Sequence, residues 1–140
     1  EAWLKAGIGA FALGHILYVV AFAAQFDPRF GTDALAWIIP AALIGLGLST
    51  ERWLAPRTGG LKIPVRGYVL LILAMGSIAA QQPIPRVPVL LGALSFILSD
   101  LILALELFVL SGGIFGRIAP FLIWFFYYAA QALLFMGFLG

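Results

Sequence analysis

Apolar residues run along this chain in long blocks, interrupted where charges, prolines and adjacent glycines cluster. Five blocks can be drawn as membrane-spanning helices, at about 4–26, 34–50, 65–81, 87–111 and 117–139. Each falls within the roughly 17–25 residues that a helix needs to cross a bilayer. Between the second and third lies ERWLAPRTGGLKIP (residues 51–64), which reads as a polar loop. QQPIPRVP (81–88) and SGGIFG (111–116) read as short turns. Links this short predict that successive spans pack as antiparallel neighbours. The expected fold class is therefore all-α, a polytopic transmembrane helix bundle in which residues 1–140 form one helical domain.

The fourth block, VPVLLGALSFILSDLILALELFVLS, organises the rest. As a helix it rises about 37 Å and carries Asp100 near its middle. An ionisable group at that depth is costly, turns toward a polar interior rather than lipid, and is a functional candidate by default. Gly92, Ser95 and Ser99 fall at i, i+3 and i+7, a stripe of small residues suited to close helix contact. Ser99 and Asp100 are about 100° apart and can share one sector. Glu106 lies further along and about 120° around the helix, where snorkelling or an ion pair accounts for it as well as chemistry does.

Other spans carry polar groups at comparable depth. His15 stands near the middle of the first, with Tyr18 and Phe22 on the same face. The last has Trp124, Tyr127, Tyr128 and Gln131 about its midpoint. Lipid satisfies none of these hydrogen-bonding groups, so the simplest packing points them toward one another and toward Asp100. Each also has a plainer reading: His15 as an interhelical hydrogen bond, the tyrosines as packing aromatics, Gln131 as helix glue. Asp27, Asp33 and Glu51 are loop or interface residues, and Trp3, Trp37 and Trp53 suit interfacial positions.

Composition agrees with the pattern. The chain is 64% hydrophobic and 10% charged, with mean hydropathy +1.11, whereas soluble domains are about one quarter charged. Without cysteine there is no disulfide or thiolate site, and one histidine cannot form a multi-histidine metal centre. No metal and no cofactor are expected. Eight basic against six acidic residues, without aromatic interleaving, argue for a topology signal and against nucleic acid. Alternating sides place Lys5, Arg52, Arg57, Lys62, Arg66 and Arg117 together, with Arg29 and Arg86 opposite. The richer face is expected in the cytoplasm and the C-terminus outside, with a bacterial inner membrane as the default. Spaced glycines in GIGAFALG and SGGIFG follow no strand, so they read as helix contacts and turns rather than a phosphate loop. A chain that opens on Glu1 directly before a span reads as a fragment.

Three stretches resemble signatures of the YhhN-like lysoplasmalogenase family. GAFALGHILYVVAFAAQF carries an F…H-x-x-Y pattern in Phe11, His15 and Tyr18. GALSFILSDLILA carries G-A-x-x-F-x-x-S-D in Gly92, Ala93, Phe96, Ser99 and Asp100. WFFYYAAQALLFMG carries a Y-Y-x-x-Q pattern in Tyr127, Tyr128 and Gln131. Order and spacing agree along the chain, and the three in series are more specific than any one.

The resemblance implies an integral membrane hydrolase of about eight helices. Such enzymes cleave the vinyl ether of lysoplasmalogens to a fatty aldehyde and a glycerophospho-ethanolamine or -choline. It assigns Asp100 and His15 to catalysis, and Tyr18, Ser99, Tyr127, Tyr128 and Gln131 to positioning substrate or water. It also implies about three further helices upstream, with a second acid in a G-D motif. The partners are then a lysophospholipid substrate and the bilayer. Two other readings stand beside it: an accessory subunit of a larger membrane complex, and a proton-coupled carrier relaying through Asp100 and His15. Five helices without an internal repeat rank the carrier last.

Overall fold

A computed structural model of the chain describes residues 2–27, 33–82 and 86–139. Its helices are α1 (Ala2–Ala24), α2 (Ala34–Trp53), α3 (Lys62–Ala79), α4 (Arg86–Phe108) and α5 (Gly113–Leu139). All five are long and apolar enough to cross a membrane, and the fold class is all-α as expected. Their outward surfaces are strongly apolar: Trp3, Ile63 and Phe121 are at least three-quarters exposed, a surface that water penalises and acyl chains solvate. Arg29 and the Arg86 side chain, both used in the charge count, lie outside the described residues.

The chain divides into two compact units, 1–83 and 84–140. In the first, α3 packs against both α1 and α2. The expectation that α1 would pair with its chain neighbour α2 gives way here, because α1 packs chiefly on α3. Its buried residues, His15 and Phe22, lie seven apart on one stripe. Both meet α3 or the turn that follows it. The His15 ring contacts Tyr68, with centroids 5.4 Å apart, and the Gln82 amide donates to the Phe22 carbonyl at 3.1 Å.

Helix α2 opens on Asp33, whose carboxylate accepts from the Ala36 N–H at 2.9 Å. It runs three residues beyond the expected end because its polar residues find partners on the helix. Ser49 and Thr50 donate to the Leu46 and Gly47 carbonyls, each at 2.6 Å, and the Trp53 indole donates to Ser49 at 3.2 Å. Glu51 is held across the unit by Arg66 of α3, whose Nε lies 2.8 Å from Oε1 while a terminal nitrogen bonds the other oxygen. The supposed polar loop is largely folded. Two 3-10 turns, Ala55–Arg57 and Gly59–Leu61, bury Leu54, Ala55, Thr58 and Leu61. Helix α3 then starts at Lys62, earlier than expected, with Pro64 tolerated in its first turn.

In the second unit α4 and α5 form an antiparallel hairpin. Contacts pair Val89 with Gly137, Gly92 with Leu134, Phe96 with Tyr127 and Ser99 with Ile123, one series rising as the other falls. Helix α5 begins at Gly113 rather than Arg117. Gly112 and Gly113 take φ of 97° and 61°, reversing the chain in a region that favours glycine, and the Gly116 N–H already donates to the Gly112 carbonyl at 3.0 Å.

Candidate functional site

In the first unit the candidate is His15, 2% exposed. Its Nδ1 lies 2.8 Å from the Phe11 carbonyl oxygen, one turn earlier on α1. A carbonyl can only accept, so Nδ1 carries the proton and donates, and in the neutral ring Nε2 holds the lone pair. The ring meets Tyr68 edge-on, with planes at 74°, a favourable arrangement for two aromatics. Tyr18 is half-buried and its ring tilts against Phe22 at 6.0 Å. The backbone of the F…H-x-x-Y pattern thus sets the tautomer of its own histidine.

In the second unit Ser99 and Asp100 are 3% and 8% exposed. Ser99 donates its hydroxyl to the Ile123 carbonyl at 3.0 Å, which ties α4 to α5 next to the acid. Ser95, the middle of the small stripe, bonds instead to Leu91 of its own helix at 2.8 Å. Phe96 is buried and packs edge-on against Tyr127 at 5.5 Å. The Gln131 amide donates to the Tyr127 hydroxyl at 3.3 Å. Tyr127 is half-buried against α4, whereas Tyr128 is 63% exposed and stacks on Trp124 at 5.6 Å. Consecutive residues point about 100° apart, so one faces the neighbouring helix while the other looks out.

Sequence reasoning passed over two residues in the first unit. Tyr68 lies on the stripe Tyr68, Ile72, Met75, Ala79, spaced i, i+4, i+7 and i+11, of which the last three are buried. It is the one hydrogen-bonding side chain on that stripe, and the spacing could have found it. Gln82, 3% exposed, continues the stripe past the helix end. Its amide donates to Phe22 at 3.1 Å and to Ile78 at 3.0 Å, stapling the last turn of α1 to that of α3. A glutamine beside a Pro-rich turn carries no such signal.

Comparison with known proteins gives two findings. A model described as the YhhN family matches residues 1–138. Proteins named lysoplasmalogenase from Mycobacterium bovis and Mycobacterium tuberculosis are each 31% identical over 137 residues, covering 94% of this chain and 49% of theirs. The chain thus spans about half the length of the curated relatives it matches. No solved structure matches it.

Proposed function

This chain belongs to the YhhN family, and on that premise we propose that it acts as a membrane-embedded lysoplasmalogenase, hydrolysing the vinyl ether of a lysophospholipid. The observation that carries the reading is a carboxyl, Asp100, 8% exposed midway along an apolar helix, in a chain 31% identical to proteins named for that reaction.

The chemistry needs few groups. In its acid form Asp100 delivers a proton to the outer alkene carbon, and the ether-bearing carbon becomes an oxocarbenium ion. Water adds to that carbon while a base removes its proton. The motif resemblance proposes His15 as a base, and the bond from its Nδ1–H to the Phe11 carbonyl gives the ring the tautomer a base needs. The hemiacetal then collapses: its hydroxyl proton leaves, the carbon–oxygen bond to glycerol breaks, and the glycerol oxygen takes up a proton. The products are one aldehyde and one glycerophospho head group, with one water consumed. Donor and water-orienting group divide the labour much as two carboxylates do on glycosides. Tyr18, Ser99, Tyr127 and Gln131 complete the proposed set as positioning groups, and Tyr128, 63% exposed, contributes little to it.

The charge bias of the links supports an orientation with the basic links in the cytoplasm and the C-terminus outside, and a bacterial inner membrane is the proposed location. The test uses the full-length protein in micelles with an alkenyl lysophosphatidylethanolamine. Asp100→Asn should lower aldehyde release by about 10²–10⁴-fold at unchanged thermal stability. In D2O the wild-type aldehyde should carry one deuterium on carbon 2. Undiminished turnover by the Asn variant would remove Asp100 from the mechanism.

A further inference from the structure

A second feature of the first unit has no part in that chemistry. Between α2 and α3 runs a groove of about 260 Å³. Its walls are Ile44 and Leu48 of α2 and Val69 and Leu73 of α3. At its upper end stand Glu51, Lys62 and Arg66. The floor is closed where Leu73 lies against Gly47, so close that a Cβ there would meet Leu73 Cδ1 at 2.3 Å.

Four observations define what would fill it. The lining from Lys62 to Leu73 covers about 16 Å along α3, close to the roughly 15 Å of hydrocarbon in one leaflet. The volume lies just below the range of roughly 300–1,000 Å³ that holds a whole small-molecule ligand, which suits one acyl chain rather than a complete lipid. The walls are apolar and open outward, Ile44 being 57% and Leu48 69% exposed. The mouth is cationic. Arg66 is engaged by the one carboxylate there, Glu51, which leaves Lys62 in excess among the lining residues. Arg52 in the last turn of α2 and Arg57 in the next 3-10 turn stand at the same end of the hairpin. Basic groups above a groove between transmembrane helices match a phosphate-bearing, net-negative head group.

We propose that this groove binds an anionic glycerophospholipid, its phosphate at Lys62 and one acyl chain along Ile44, Leu48, Val69 and Leu73. The lipid is not the one being cleaved. Tyr68, the ring partner of His15, lies about 160° around α3 from Arg66, so the groove occupies the face turned from the histidine. The site stands or falls independently of ether hydrolysis.

The experiment is native mass spectrometry of the full-length protein, released from micelles doped with equal mole fractions of palmitoyl-oleoyl phosphatidylglycerol and phosphatidylcholine. Wild type should retain phosphatidylglycerol over phosphatidylcholine by about fivefold, the effect of one basic group near a lipid phosphate. Lys62→Gln should abolish the preference, and Val69→Trp, which fills the groove, should remove the adduct of either lipid. If Val69→Trp fails to fold, Leu70→Trp, at a 69% exposed lining position, replaces it. Equal retention of the two lipids by wild type means that the basic residues mark topology alone, and overturns the proposal. Preference surviving in Lys62→Gln, or adducts surviving in the tryptophan variant, overturns it equally.

Discussion

Replacing Gly92 by alanine tests how closely the second unit depends on helix approach. A methyl at that position would stand 2.8 Å from Leu134 Cγ, 3.0 Å from its Cδ2 and 3.1 Å from its backbone nitrogen. The side chain can rotate away, but the nitrogen belongs to α5 and cannot. Ordinary carbon contacts begin near 3.5 Å, so the helices must part by roughly half an ångström, and a gap of that size already forfeits about a quarter of the dispersion well at neighbouring contacts. Overpacking of this kind costs about 1–3 kcal/mol. Alanine also gains about 1 kcal/mol of helix propensity over glycine in water, so a control is needed. A methyl group at Gly9 would meet nothing within 4 Å, and Gly9→Ala carries the propensity term without the clash. Unfolding of the full-length protein in mixed micelles with rising dodecyl sulfate, followed by circular dichroism, should rank Gly9→Ala at or above wild type and Gly92→Ala about 1–3 kcal/mol below Gly9→Ala. A methyl at Gly137 would meet Val89 in the same way, at 2.5 Å from Cγ2 and 3.2 Å from its nitrogen. One parting of the helices serves both sites, so the double variant should cost less than the two singles together. Equal stability of Gly92→Ala and Gly9→Ala would refute the close-approach argument.

Gln82→Leu keeps the volume and removes the amide bonds to Phe22 and Ile78. Both carbonyls keep a backbone donor, Gln25 and Gln81, so the expected loss is about 0.5–1.5 kcal/mol in the same unfolding assay, and no loss would show that the staple is inert. The two tyrosines separate by assay of aldehyde release. Tyr127→Phe deletes the hydroxyl that accepts from Gln131 and should lower kcat/KM about fivefold, the worth of one neutral hydrogen bond. Tyr128→Phe, at a 63% exposed position, should change it less than twofold. The reverse order would mean that Tyr128 is the tyrosine the reaction uses.

Some features were legible without coordinates because they follow from transfer free energy alone. A block of some twenty apolar residues has no stable alternative to a bilayer-crossing helix, so five spans could be drawn. Gly92 and Ser99 likewise announced a close contact by their spacing, and α5 supplies it. The ends of the helices were less legible. Glu51 looked like a loop residue until Arg66, fifteen positions away, proved to be its partner. The turn of SGGIFG was visible, but its tightness was not, because that depends on which glycines take positive φ.

By itself the sequence determined the helical class, the depth of Asp100 and His15 in their spans, and the motifs that mark the family. Burial of apolar surface is a local sum over residues, and the motifs are local strings. The tertiary structure alone decided that α1 lies on α3, that Tyr127 rather than Tyr128 meets α4, and that Gln82 joins two helix ends. Each of these is a choice between orientations of similar hydrophobic free energy, settled by directional contacts between groups distant in sequence or by the backbone they fold against.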